Sequence, residues 1–199
     1  MDEIVLQAMA KWPNVPHCFG WLELDARGYW RMRDEAAQAG NLPGERVVHP
    51  ALIAFINRNY THDDKGRWYF QNGPQRVYVD LEVAPLVAHL TGDNVFKLHT
   101  GGNVDAIEGA WFSEEGKLLV ESAGEIALVD DRDLGACVKL LRSDDKPISD
   151  ADLSRWFEGL AALTLTLAIG NTMIEVGRIE SECLERRWHF VKVPKPDLV

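Results

Sequence analysis

The chain has 199 residues, 46% of them hydrophobic and 26% charged, with a formal net charge of -10. These values describe an ordinary globular protein and exclude a disordered or fibrous chain. An acidic chain without a basic run also disfavours nucleic acid and anionic membranes as partners, because both are recognised largely by neutralising phosphate.

Cys18, Cys137 and Cys183 are odd in number and form no CxxC pair, so a disulfide framework is not expected and a reducing compartment is. The acidic start, Met1-Asp2-Glu3-Ile4, lacks the basic and apolar regions of a signal peptide. The longest apolar run, Leu160 to Ile169, falls far short of the roughly 20 residues that span a bilayer. The expected location is the cytoplasm.

In chain order, residues 4–12 suit a short helix that stops at Trp12-Pro13, since a residue before proline avoids helical angles. Cys18 to Leu24 reads as a strand, Asp25-Ala26-Arg27-Gly28 as a turn and Tyr29 to Arg33 as the return strand. The polar stretch 34–48 is read as a loop. His49-Pro50 opens a helix carrying Leu52, Ile53, Phe55, Ile56 and Tyr60 at helical spacing.

Asp63-Asp64-Lys65-Gly66 repeats the turn seen at Asp25. It leads into an aromatic strand, Arg67 to Gln71, an Asn72-Gly73-Pro74 turn and a β-branched strand, Arg76 to Val79. Val83 to Leu90 is read as a second short helix with Pro85 in its first turn. Ser113-Glu114-Glu115-Gly116 is a third copy of the turn. A shift of 50 residues superposes Gly66 on Gly116, Val79 on Val129 and Asp80 on Asp130, which points to an internal structural repeat.

Beyond it, Asp131 to Leu141 is read as a helix. Ser149 to Asp152 opens another, with an aspartate in place of the usual capping-box glutamate. Leu163 to Ile169 alternates cleanly and returns through Gly170-Asn171 to Met173–Ile179. Trp188 to Val193 is read as a last strand before a proline-punctuated tail, Pro194 to Val199. Hairpins alternating with short helices predict an α+β fold with antiparallel sheets, divided into a subdomain at 1–92 and a second, similar one at 93–199.

No nucleophile elbow, P-loop, GxGxxG or HExxH motif is present. No two histidines stand at metal-ligand spacing, and neither a metal nor a cofactor is expected. His62 with Asp63 and Asp64 is the nearest approach to a ligand cluster, but turn carboxylates ordinarily cap the turn. Asp130, Asp131 and Asp133 are likewise read as solvated groups at a helix start. All four tyrosines and four of the seven tryptophans lie in the first 80 residues. Adjacent rings such as Trp68 and Tyr69 must point to opposite faces of a strand, one into the core and one away from it. Trp30, Arg67, Trp68, Tyr69, Arg76 and Tyr78 are therefore the candidate binding residues, with the alternative that all the rings are core.

The segments Asp64-Lys65-Gly66-Arg67-Trp68-Tyr69-Phe70, Val77-Tyr78-Val79-Asp80 and Val83-Ala84-Pro85-Leu86-Val87 resemble a small bacterial family of unknown function. Its members carry a D-G-x-Y-x-L-x-T-P … I-x-V-E-D-A-P-F segment, preceded by a G-x-W hairpin similar to Gly28-Tyr29-Trp30. Here Asn72-Gly73-Pro74 stands in place of Thr-Pro, and Leu81-Glu82-Val83 in place of the acidic pair. The resemblance covers about residues 18–90. It implies repeated strand–helix motifs in two α+β subdomains, a suggested part in signal transduction and no established catalytic residue. The expected function is a non-enzymatic module that binds a small molecule or a protein partner, a second copy of the chain included. The alternative is a hydrolase or metal-dependent enzyme using His62, Asp63 and Asp64 or the Asp130 to Asp133 group.

Overall fold

The computed structural model describes residues 1–104, 106–160 and 162–197. Ala161 of the apolar run and the last two residues of the predicted tail lie outside them. The chain divides into two compact units. One comprises Met1–Pro85, His99–Gly101 and the segment from Glu185; the other comprises Leu86–Leu98 and Gly102–Leu184. The chain leaves the first unit after Pro85, contributes to it again at His99–Gly101 and rejoins it from Glu185.

The first unit contains α1 (Glu3–Lys11), β1 (Cys18–Leu24), β2 (Trp30–Met32), α2 (Glu35–Ala39), β3 (Glu45–Arg46), α3 (Pro50–Arg58), β4 (Tyr60–His62), β5 (Trp68–Asn72) and β6 (Gln75–Leu81). Its six strands lie in the order β3-β2-β1-β6-β5-β4. Paired residues share a face, and the pairing leaves one face apolar. Trp30 stands opposite Leu24, and Phe70 opposite Val77. Trp30, Tyr60 and Trp68 form a ring cluster on this face, with centroids 4.9 Å and 4.8 Å apart, and Phe55 of α3 meets Phe70 edge-on. The other face is polar and aromatic: Tyr69 pairs with Tyr78, Gln71 with Arg76, and Glu23 with Asp80.

The second unit begins with β7 (Leu86–Leu90), β8 (Phe96–Leu98), β9 (Gly109–Ser113), β10 (Leu118–Ser122), β11 (Glu125–Val129) and α4 (Leu134–Val138). It continues with β12 (Leu141–Ser143), β13 (Lys146–Pro147), α5 (Asp150–Phe157), β14 (Thr166–Ile169) and β15 (Thr172–Ile179). Its sheet runs β13-β12-β14-β15-β9-β10-β11-β7-β8. A short helix α6 (Leu184–Arg187) follows. Among the described residues, no helix is long and apolar enough to cross a membrane.

Both units share a five-strand motif, β2-β1-β6-β5-β4 in one and β8-β7-β11-β10-β9 in the other. In each, three consecutive strands form an antiparallel meander whose last strand takes an earlier strand as a parallel neighbour. The 50-residue offset read from the sequence is the spacing between Trp68 and Leu118, which open β5 and β10, and between Gln75 and Glu125, which open β6 and β11. The turn read at Asp25, Asp63 and Ser113 has one geometry in all three places. The first residue's carbonyl accepts from the fourth residue's N–H, and the fourth, a glycine, has φ between 72° and 78°. Asp25, Asp63 and Ser113 each accept further backbone N–H bonds on the side chain. Thr91 to Asn94 is a fourth copy, with Asn94 at φ 55°.

The α+β class holds, but several elements differ from the sequence reading. The sheets are mixed, because β1–β6, β7–β11 and β9–β15 are parallel pairs. Val83 to Leu90 is no helix: Leu86 to Leu90 is a strand, whose run of apolar residues suits burial on both faces beside its parallel neighbour β11. The stretch 34–48 holds α2, capped by Asp34, whose carboxylate accepts from Ala37 N–H, and also the edge strand β3. The helix at Asp131 to Leu141 shrinks to Leu134–Val138, and Leu141 starts a strand instead. Trp188 to Val193 forms no ladder. His189 has φ 50°, and the segment makes single backbone bonds, Val191 N–H to Gly66 C=O and Leu81 N–H to Lys192 C=O.

Candidate functional site

The polar face of the first unit's sheet carries a cleft of about 580 Å³. It is lined by His17, Phe19, Asp63, Lys65, Arg67, Arg76, Tyr78 and Asp197, among others. The turn between β4 and β5 builds one wall. Asp63 accepts from the N–H groups of Lys65 and Arg67 at 3.0 Å each, which fixes its carboxylate beneath the strand. Arg67 Nε and Nη2 both lie 2.8 Å from Asp63 Oδ2, and Tyr78 Oη donates to the same oxygen at 3.0 Å. Burial alone would raise the Asp63 pKa, yet the bonds from Arg67 and Tyr78 hold it below the ordinary carboxylate value. Burial also acts on Tyr78, and it pushes the phenol pKa up.

Asp63 is thereby held as an anion with its oxygens occupied, which makes it a weak general base. Arg67 Nη1 points the other way, toward Asp197 at 3.1 Å and the Lys195 carbonyl at 3.4 Å. Lys65 Nζ reaches the same Asp197 oxygen at 2.8 Å. Arg76, on β6, lies over the Tyr69 ring at 4.6 Å and shares the cleft lining with Tyr78. Among the described residues no carboxylate comes within ion-pair distance of it. His17 meets Tyr78 edge-on, and Phe19 stacks on the same ring at 4.5 Å. Burial, and then the charges of Arg76 and Arg67, lower the His17 pKa and favour a neutral ring.

The six residues picked from the sequence separate into two groups. Arg67, Arg76 and Tyr78 meet in the cleft, and Tyr69 supports Arg76 from beneath. Trp68 lies across the strand from Tyr69, as alternation requires, and is buried in the ring cluster. Trp30 is there too, 2% exposed, with its indole N–H donating to Asn57 at 2.7 Å. Sequence reading missed His17, Phe19, Lys65 and Asp197 as cleft residues. Lys65 lay inside a turn already singled out, whereas nothing local joins Asp197 to residues 130 positions away.

The other acidic group stands in the second unit. Asp130 is fully buried rather than solvated. It accepts from Arg132 through both backbone N–H and Nε at 2.9 Å, and His89 Nδ1 lies 3.1 Å away. Burial would raise its pKa, but the Arg132 bonds prevail and lower it to about 2. Asp133 accepts from Leu90 N–H at 3.0 Å. Among the described residues, no group of three or more His, Cys, Asp or Glu side chains is placed to hold a metal ion.

The fold and site define an α+β protein built on a repeated meander with one parallel neighbour, its first unit bearing a cleft of aromatic rings and guanidinium groups. The chain belongs to the family described as "Protein of unknown function (DUF2946)", which matches residues 1–195 and so extends well beyond 18–90. Two solved structures of DUF1285 family proteins match the chain. The one from Silicibacter pomeroyi DSS-3 shares 16% identity at a TM-score of 0.50, over 88% of this chain and 94% of its own. The one from Shewanella baltica OS155 shares 13% identity at a TM-score of 0.38, over 57% of this chain and 86% of its own. Comparison with curated proteins finds no significant match.

Proposed function

We propose that the protein is a non-enzymatic binding module whose ligand, a small molecule, sits in the cleft of the first unit. The observation that carries this reading is Arg76. Its guanidinium lines the cleft, lies over the Tyr69 ring, and has no carboxylate partner among the described residues. A charged, partly desolvated group held by aromatic neighbours on a sheet is preorganised for a partner from outside. The acidic groups on which the hydrolase alternative rested are already engaged, Asp63 by Arg67 and Asp130 by Arg132, which favours binding over hydrolysis at those groups.

The test is a thermal-shift screen of the pure protein against metabolites, nucleotides and amino acids, followed by titration calorimetry on each hit. Arg76→Ala should abolish the shift for every genuine ligand while leaving the unliganded melting temperature nearly unchanged. Hits that bind Arg76→Ala as well as the native protein would place the site elsewhere.

A further inference from the structure

We infer that the cleft is a carboxylate seat, closed in the unliganded protein by the chain's own Asp197, so that a small organic carboxylate enters by displacing that side chain. The inference rests on the binding-module reading above and names its ligand class. One oxygen of Asp197 bridges Lys65 Nζ at 2.8 Å and Arg67 Nη1 at 3.1 Å. The two cations differ in how firmly they are held. Arg67 is largely buried and locked through Nε and Nη2 onto Asp63, leaving Nη1 aimed at a fixed point. Lys65 is exposed and closes from the other side. A guanidinium edge with an ammonium beside it is a carboxylate-binding pair.

Asp197 itself is loosely held. Its side chain is 63% exposed, and it follows Pro194 and Pro196 in a segment without regular structure. An exposed ion pair of this kind is screened and cheap to break. With Asp197 swung out, Lys65, Arg67 and Arg76 face only Asp63 and Asp64 along the lining, and the cleft gains an excess of positive charge. His17 and Phe19 lie on the same lining, so the carboxylate's carbon skeleton meets rings rather than charge. Asp197 therefore acts as an internal competitor for the seat.

The experiment titrates benzoate, succinate and inorganic phosphate into the native protein, Asp197→Asn and Lys65→Ala by calorimetry at neutral pH. The expected result is carboxylate binding that tightens about tenfold in Asp197→Asn, as when a seat open in about one molecule in ten is freed, and weakens in Lys65→Ala. Equal or weaker carboxylate binding by Asp197→Asn would overturn the inference, as would binding of phosphate alone. If none of the three binds, but an uncharged compound from the screen binds in an Arg76-dependent way, the carboxylate seat falls and the module stands. If nothing binds at all, both fall. Asp197 is exposed, so its substitution leaves folding intact.

Discussion

Trp68 and Tyr69 are neighbours in the chain and opposites in role. Trp68 packs between Tyr60 and His62 in the apolar cluster, and Tyr69 carries Arg76 on the polar face. Truncating Trp68 to alanine should cost about 3–5 kcal/mol, the range for large aromatic deletions in a core. Arg76→Ala should cost no more than about 1 kcal/mol, the worth of a partly exposed cation–π contact. Urea denaturation of both variants checks the pair, and the reverse order of losses would refute the assignment of faces. Alternation along the strand made the split between the two rings legible. It could not say which face a helix covers, so core rings and cleft rings entered the sequence reading together.

Arg33 was illegible for a different reason, since its nearest carboxylate, Asp80, stands 47 residues away in the chain. Arg33 Nη1 lies 2.6 Å from Asp80 and Nε 3.8 Å from Glu23, and all three side chains are largely buried. Burial raises the pKa of both acids even with the arginine present. Arg33→Met would leave two buried carboxylates without their cation. The expected loss is about 3–5 kcal/mol at neutral pH, and part of it should return in Arg33→Met/Asp80→Asn, measured by the same denaturation.

At the level of elements, the repeated turn supplies its own control. Gly66 and Gly116 occupy equivalent places at φ 72° and 77°. A Cβ on Gly116 would meet nothing within 4 Å, whereas one on Gly66 would stand 1.8 Å from the His189 carbonyl oxygen. Gly116→Ala should therefore cost about 1 kcal/mol, the ordinary penalty for a side chain in the left-handed region. Gly66→Ala should cost several times more, because backbone must move. Equal losses would mean that the His189 segment yields freely. Turns and hairpins were the legible part of this chain, since glycine and a capping side chain encode them within four residues. The strand β7 was not, because a short apolar run fits a buried strand and a buried helix alike.

For the whole molecule, the perturbed carboxylates set the response to acid. Asp130 falls to about 2 from an ordinary 3.8, and Asp63 is lowered as well. A depressed folded-state pKa gives stability that is fully present above the ordinary value and lost as pH falls through the folded one. Glu23 and Asp80, raised by burial, work the other way: their contribution is present in acid and fades as pH rises through their folded pKa values. Stability should drop between about pH 4 and about pH 2. Asp130→Asn should flatten that slope, as read by urea unfolding at successive pH values; an unchanged slope would remove Asp130 from the account.

The return of the chain to its first unit has a consequence for synthesis. Leu81 N–H and Gly66 C=O find their partners in Lys192 and Val191, after every residue of the second unit has been made. During translation the second unit can therefore close its ladders while the first still lacks its last segment. Of the two units, the one whose synthesis starts earlier is the one completed later.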